Sequence, residues 1–274
     1  MLLDVIISAS TFVAVIIGVI LYLLKLKTKG HETYERVERQ GSSKLVSKSI
    51  MEMGYWWFQA PGEMLVTRSI TPNQISWCSL AVGFFAGVFA AFGFFGIGAV
   101  LLFASAILDA LDGYVARKKG ELTPGGEILD SSLDRYVDFF FFAGLLIYYR
   151  DSTLFMLVTL FAMLGSFMIS YSSAKAQAMR ITPPRGSMKR SDRLVYLIAG
   201  GIIASFSVAF FETSLDSPPI GIPMLAVLTM IAVLSNISAI QRLKSLAVSA
   251  DTQNSITHSE KQLETTAELT PDKS

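Results

Sequence analysis

With 274 residues, 52% of them hydrophobic and only 16% charged, the chain is long enough for one or two soluble domains but too poor in charge, since such domains carry about 25%. A net charge of +1 offers no field for nucleic acid. The single cysteine, Cys78, and the two histidines, His31 and His258, both in polar segments, exclude an internal disulfide and argue against a cysteine-based metal site, a histidine triad or a zinc centre.

Apolar stretches at about 4–24, 73–94, 95–116, 128–149, 153–175, 193–212 and 219–240 each approach the ~20 residues a helix needs to cross a bilayer. The first has its basic residues after it and none before it, the reverse of a signal peptide. It reads as a transmembrane anchor over 1–29 with its N-terminus outside. Segment 30–70 mixes charges with Met51, Met53, Tyr55, Trp56, Trp57 and Phe58, which predicts an amphipathic helix lying in the interface. A six-helix catalytic membrane domain follows over 71–245. The remainder, 246–274, is rich in Ser, Thr, Glu and Lys and reads as a disordered cytoplasmic tail. Seven spans place 22 of the 23 basic residues on the cytoplasmic side, with Arg150 alone outside. This asymmetry sets the topology. The fold expected is an all-α membrane protein: a six-helix core, one extra N-terminal transmembrane helix and an interfacial helix.

The chemistry concentrates in residues 109–134, DALDGYVARKKGELTPGGEILDSSLD. Asp109 and Asp112 close the third span and share a helix face. Asp130 and Asp134 open the fourth and also share a face. The loop over 118–126, with Pro124, Gly125 and Gly126, is short. It predicts antiparallel neighbouring helices whose carboxylate pairs converge. An acid in a membrane helix costs roughly 2.5–3.5 kcal/mol at mid-membrane, less near an end, and usually marks function. Four together repel one another. Two divalent cations, Mg²⁺ or Mn²⁺, would remove both problems, because hard ions take oxygen ligands and a pair of them clamps a phosphoryl transfer. Gly113, Ala116 and Gly126 leave room for a pyrophosphate at the backbone, and Arg117 offers it a forked donor.

The pattern Asp-x2-Asp-Gly-x2-Ala-Arg-x8-Gly-x3-Asp-x3-Asp occurs without a gap at Asp109, Asp112, Gly113, Ala116, Arg117, Gly126, Asp130 and Asp134. It resembles the signature of the CDP-alcohol phosphatidyltransferases, and eight fixed positions match by chance on the order of once in 10¹⁰ starts. The likeness extends over about 50–240. Thr71-Pro72-Asn73-Gln74-Ile75-Ser76 is similar to the family's entry to its first core helix. The resemblance implies a fold, substrates and roles. Asp109, Asp112, Asp130 and Asp134 would hold metal, with Asp134 also the general base for the acceptor hydroxyl. Asn73, Asp112, Gly113, Ala116, Arg117 and Gly126 would line the CDP site. CDP-diacylglycerol would be the donor, a small alcohol the acceptor and CMP the leaving group. The enzyme would be a homodimer in the inner (plasma) membrane, its active site facing the cytoplasm.

Leu129-Asp130-Ser131-Ser132-Leu133-Asp134-Arg135 and the later Ser170-Tyr171-x2-Ala174-Lys175-Ala176 and Gly186-x3-Arg190-x2-Arg193-Leu194 resemble the phosphatidylinositol phosphate synthase branch. That likeness implies a basic pocket for a phosphorylated alcohol from Lys175, Arg185, Lys189, Arg190 and Arg193. Inositol phosphate is the first choice and glycerol phosphate the second; inositol or serine is the unphosphorylated alternative. Two positions depart from the branch: Ser173 stands where it usually has Arg, and Lys189 where it usually has an acid. A transporter would also bury acids, but at broken helices near mid-membrane. A metal-dependent lipid phosphatase would use water at a similar site.

Overall fold

A computed structural model describes residues 1–29, 48–182, 186, 188–212 and 220–268, with side chains described to 253. These residues form eight helices: α1 (Leu2–Lys29), α2 (Lys48–Thr67), α3 (Pro72–Ala91), α4 (Phe95–Lys119), α5 (Pro124–Tyr148), α6 (Thr153–Ala178), α7 (Arg190–Ser207, continued by a π turn Val208–Glu212) and α8 (Ile222–Glu268). The first part of the expected interfacial segment, 30–47, lies outside the described residues, as do Arg185 and 213–219 of the outer loop.

Local chemistry sets the boundaries. Thr71 caps α3, accepting from Gln74 N while the Gln74 side chain accepts from Thr71 N, with Pro72 at the first helical position. Gly120 ends α4 in the left-handed region at φ 69°. Thr123 then caps α5, accepting from Gly126 N at 3.0 Å, again with Pro next. Six of the seven expected spans are long and apolar enough to cross a membrane. The remaining one, α5, carries Glu127, Asp130, Asp134, Arg135 and Asp138 in the stretch 124–138, and its continuous apolar run is confined to 139–148. The chain is a multi-pass membrane protein.

Two expectations need correction. The short loop does not make α4 and α5 close neighbours: they touch little, and α3 packs against both. The small residues of α3 explain this. A Cβ on Gly144 of α5 would fall 2.0 Å from the Gly87 carbonyl oxygen of α3, and Gly98 of α4 lies against Ala86 and Ala90. Ser79 of α3 and Ser105 of α4 hydrogen-bond each other across the same seam. Small and polar residues hold membrane helices at close range where apolar bulk gains nothing over lipid. The second correction concerns the tail, where α8 continues as helix to Glu268. Its Gln, Lys, Leu, Ala and Glu content favours helix even where low hydrophobicity removes any need to bury a face. Residues 269–274 lie outside the described ones.

The core gathers Phe95, Leu102, Phe141, Phe142, Leu145, Met224, Leu228 and Ile231, all buried. A smaller cluster of Ile75, Leu111, Tyr114 and Val115 seats Phe58, Leu65 and Val66 of α2 against α3 and α4. The charged ends of α4, α5 and α7 meet at one end of the bundle.

Candidate active site

Asp109 and Asp112, one turn apart near the end of α4, meet Asp130 from the second turn of α5. One carboxylate oxygen of each lies within 4.8 Å of the others. Asp112 is buried, and the Ser76 hydroxyl of α3 donates to it at 2.5 Å. An all-oxygen set of three carboxylates at such spacing fits a hard divalent cation. Asp134, one turn further along α5, stands outside this trio. Arg190 at the start of α7 takes it at 2.8 Å, with Asp109 at 3.7 Å on the same nitrogen.

Beside the trio opens a cavity of about 1020 Å³. Its walls include Asn73, Asp112, Gly113, Ala116, Arg117 and Gly126, together with Tyr55 and Phe58 of α2. The six positions expected at the CDP site therefore surround one space. Glu63 of α2 pairs with Lys118 at 2.8 Å and accepts from the Tyr114 hydroxyl at 2.8 Å. The Lys118 bond first, then the Tyr114 hydroxyl, holds its carboxyl below the usual range.

The five basic positions expected around an acceptor divide. Arg190 and Arg193 turn inward and bracket Asp138, at 3.6 and 3.3 Å. Lys175 and Lys189 stay exposed, with Lys189 as the residue capping α7. Arg185 lies outside the described residues.

The sequence reading missed two residues. Asp138 continues the i, i+4 series of Asp130 and Asp134, a signal available in the spacing. Arg242 of α8 is one of the 22 basic residues that the charge asymmetry places on the cytoplasmic side. It is buried, donates to Ser173 Oγ at 3.3 Å and to the Met188 carbonyl at 3.2 Å, and repels Arg193. A Cβ on Gly186 would fall 2.1 Å from Arg242 Nε, so only glycine fits there without displacing the guanidinium. Arg242 Nε and Arg193 Nη1 are both buried without a hydrogen-bond partner among the described residues. Five acids (109, 112, 130, 134, 138) face three arginines here, with the anionic excess on the α4 side and the unspent donors on the α8 side.

A sequence model of CDP-alcohol phosphatidyltransferases matches residues 69–238. The chain belongs to that family. It is 34% identical over 157 residues to the bifunctional IPC transferase and DIPP synthase of Aquifex aeolicus, covering 53% of this chain and 36% of that protein. It is 33% identical over 160 residues to the phosphatidylinositol phosphate synthase of Mycobacteroides abscessus, covering 57% of this chain and 66% of that one. The chain thus spans less than two thirds of the length of either relative. The crystal structure of Mycobacterium tuberculosis phosphatidylinositol phosphate synthase with CDP-DAG bound superposes with a TM-score of 0.60 at 25% identity, over 69% of this chain and 92% of that one. The all-helical architecture is that of the family, and the family depends on divalent metal.

Proposed function

We propose that the protein transfers a phosphatidyl group from CDP-diacylglycerol to a phosphorylated alcohol, inositol phosphate before glycerol phosphate, releasing CMP. The family membership and the CDP-DAG bound in the structurally similar Mycobacterium tuberculosis enzyme support the donor half. The acceptor half rests on one observation: Arg193 and Arg242 hold buried guanidinium donors with no hydrogen-bond partner among the described residues, beside Arg190. A buried unpaired donor on a charged group is costly, and a phosphate would satisfy both. A neutral alcohol would leave them bare.

Asp109, Asp112 and Asp130 would hold two divalent ions, Mg²⁺ or Mn²⁺, with Asp134 at their edge. Bound there, such ions neutralise charge on the transferring phosphoryl group and on the departing CMP. The chain's own residues do the rest. Asn73, Gly113, Ala116, Arg117 and Gly126 hold the CDP moiety, with Arg117 aimed at phosphate oxygen. The acceptor phosphate competes with Asp134 for the Arg190 guanidinium. Its arrival releases the carboxylate to take the proton of the attacking hydroxyl. That oxygen bonds to the lipid-side phosphorus as the bond to CMP breaks. Asp138 keeps Arg190 and Arg193 seated through the exchange. The enzyme is a homodimer of the inner (plasma) membrane, with soluble substrates exchanging at the cytoplasmic face.

The test is an acceptor panel with purified enzyme and CDP-diacylglycerol, read by CMP release and product mass. Efficient use of free inositol or serine in preference to their phosphorylated counterparts would overturn the acceptor assignment. CMP release without any alcohol would point to a lipid phosphatase instead.

A further inference from the structure

The N-terminal helix α1 lies outside the 69–238 match, and its composition suits a plain membrane anchor. Its burial pattern does not. Leu2, Leu3, Ile6, Phe12, Val13, Ile16, Ile17, Ile20, Leu21, Leu23 and Leu24 are exposed, as a lipid-facing surface should be. The buried positions are Asp4, Ser8, Gly18 and Tyr22, a single seam at a coiled-coil-like spacing of about 3.5 residues. Three of these four, Asp4, Ser8 and Gly18, are polar or small, and they face the protein where the large aliphatic side chains face outward.

Each end of that seam has a partner. At the outer end, Asp4 accepts from Ile97 N at 2.7 Å and from Gly96 N at 3.2 Å. These are first-turn amides of α4, whose own cap position, Phe94, offers no side-chain bond. α4 therefore takes its cap from another helix. Ser8 accepts from Ser205 of α7 at 2.9 Å. At the inner end, Gly18 is filled by an indole: a Cβ there would fall 1.6 Å from Trp57 Cζ2. The Tyr22 and Trp56 rings lie 5.8 Å apart, and Lys25 Nζ stands 5.9 Å from the Trp56 ring. Trp56 and Trp57 sit between Tyr55 and Phe58, the α2 residues that wall the donor cavity.

We infer that α1 is a strut. It is fixed by Asp4 to the start of α4, the helix that carries Asp109 and Asp112 at its other end. It sets the seat of α2 over the donor cavity through Gly18 and Tyr22, and so sets the affinity for the CDP-lipid. Gly18, Tyr22 and Asp4 are positioning residues that touch no substrate. The consequence for donor affinity rests on the donor reading above; the seating of α2 does not.

Gly18→Leu and Tyr22→Ala in the full chain test it, with Asp4→Asn as the outer-end counterpart. The first readout is hydrogen exchange of 48–67 in the absence of substrate, which should rise about tenfold in both inner-end variants. The second is steady-state kinetics: KM for CDP-diacylglycerol should rise on the order of tenfold, with kcat and acceptor KM within about twofold. Unchanged exchange in α2 overturns the strut. Raised exchange with an unmoved donor KM, or a fall in kcat alone, overturns its role in donor affinity. If Gly18→Leu does not fold, Tyr22→Ala, which removes a contact without inserting bulk, decides by the same criteria. A wild-type enzyme that releases no CMP from any CDP-lipid would sink the proposed function, while the exchange measurement would still decide the strut.

Discussion

The two sides of the acidic cluster are held together by different means. On the donor side, α4, the Gly120 turn and the start of α5 supply Asp109, Asp112, Gly113, Ala116, Arg117, Gly126 and Asp130, all within 22 residues of one another. The groups face an open cavity, and acids outnumber cations. On the acceptor side, Arg190 and Arg193 come from α7, Arg242 from α8 and Ser173 from α6. Arg193 and Arg242 are buried and Arg190 half-buried; Arg190 and Arg193 pair with Asp134 and Asp138, and the buried guanidiniums hold donors in reserve. One side waits for positive charge and the other for negative charge, and Asp134 with Arg190 forms the boundary between them. The proposed reaction, with metal at the pyrophosphate and an anionic group on its acceptor, would use that division of charge.

The most severe disruption should come from emptying the acidic side. Chelation with EDTA is expected to abolish CMP release, and added Mg²⁺ or Mn²⁺ to restore it, because three carboxylates within 4.8 Å of one another carry more negative charge than Arg190, 3.7 Å from Asp109, can offset. Full turnover in metal-free buffer would remove the metal from the donor side. Next comes the boundary residue. Asp134→Asn keeps the shape but cannot accept a proton, so kcat should fall about 10²- to 10⁴-fold while KM for CDP-diacylglycerol moves less than about threefold. Near-normal turnover in that variant would end its assignment as base.

Smaller effects are expected across the acceptor side. Arg242→Ala removes a charge-assisted bond to phosphate, roughly 1.5–3 kcal/mol. Acceptor KM should therefore rise about tenfold to a hundredfold with the donor KM unmoved. Equal changes in both constants would mean that Arg242 supports packing between α6 and α8 and does not bind the acceptor.

The donor side was legible because its groups are local in sequence: two carboxylate pairs at i, i+3 and i, i+4, with glycines at fixed offsets, survive in one window. Thr71, Thr123 and Gly120 mark element ends through side-chain and backbone chemistry that any local reading can use. The intercalation of α3 between α4 and α5 was not legible, because it depends on Gly87 meeting Gly144 across 57 positions of chain. Arg242 escaped for a related reason. A basic residue after a long apolar run fits the positive-inside expectation so well that nothing local separates it from an anchor. Only the fold shows that Gly186 makes room for its guanidinium and that Ser173, apparently short of the expected arginine, receives one from another helix.

The smallest effect is the one that best separates the two pictures of the acceptor site. Spacing alone groups Lys175 and Lys189 with Arg190 and Arg193, all near the loop between α6 and α7. In the structure the two lysines stay exposed, while both arginines and Arg242 turn into the bundle. An exposed ammonium in water gains at most about 1 kcal/mol from an ion pair, which is roughly a fivefold change in affinity, and salt screens it further. Lys175→Ala and Lys189→Ala should therefore raise acceptor KM no more than about fivefold at low ionic strength and not measurably near 0.5 M salt. Arg242→Ala should keep its effect at both. Acceptor KM measured for the three variants across that salt range decides the matter. A tenfold, salt-resistant loss in Lys189→Ala, with Arg242→Ala unchanged, would move the acceptor phosphate out to the loop and leave the buried guanidiniums as structural partners of Asp138.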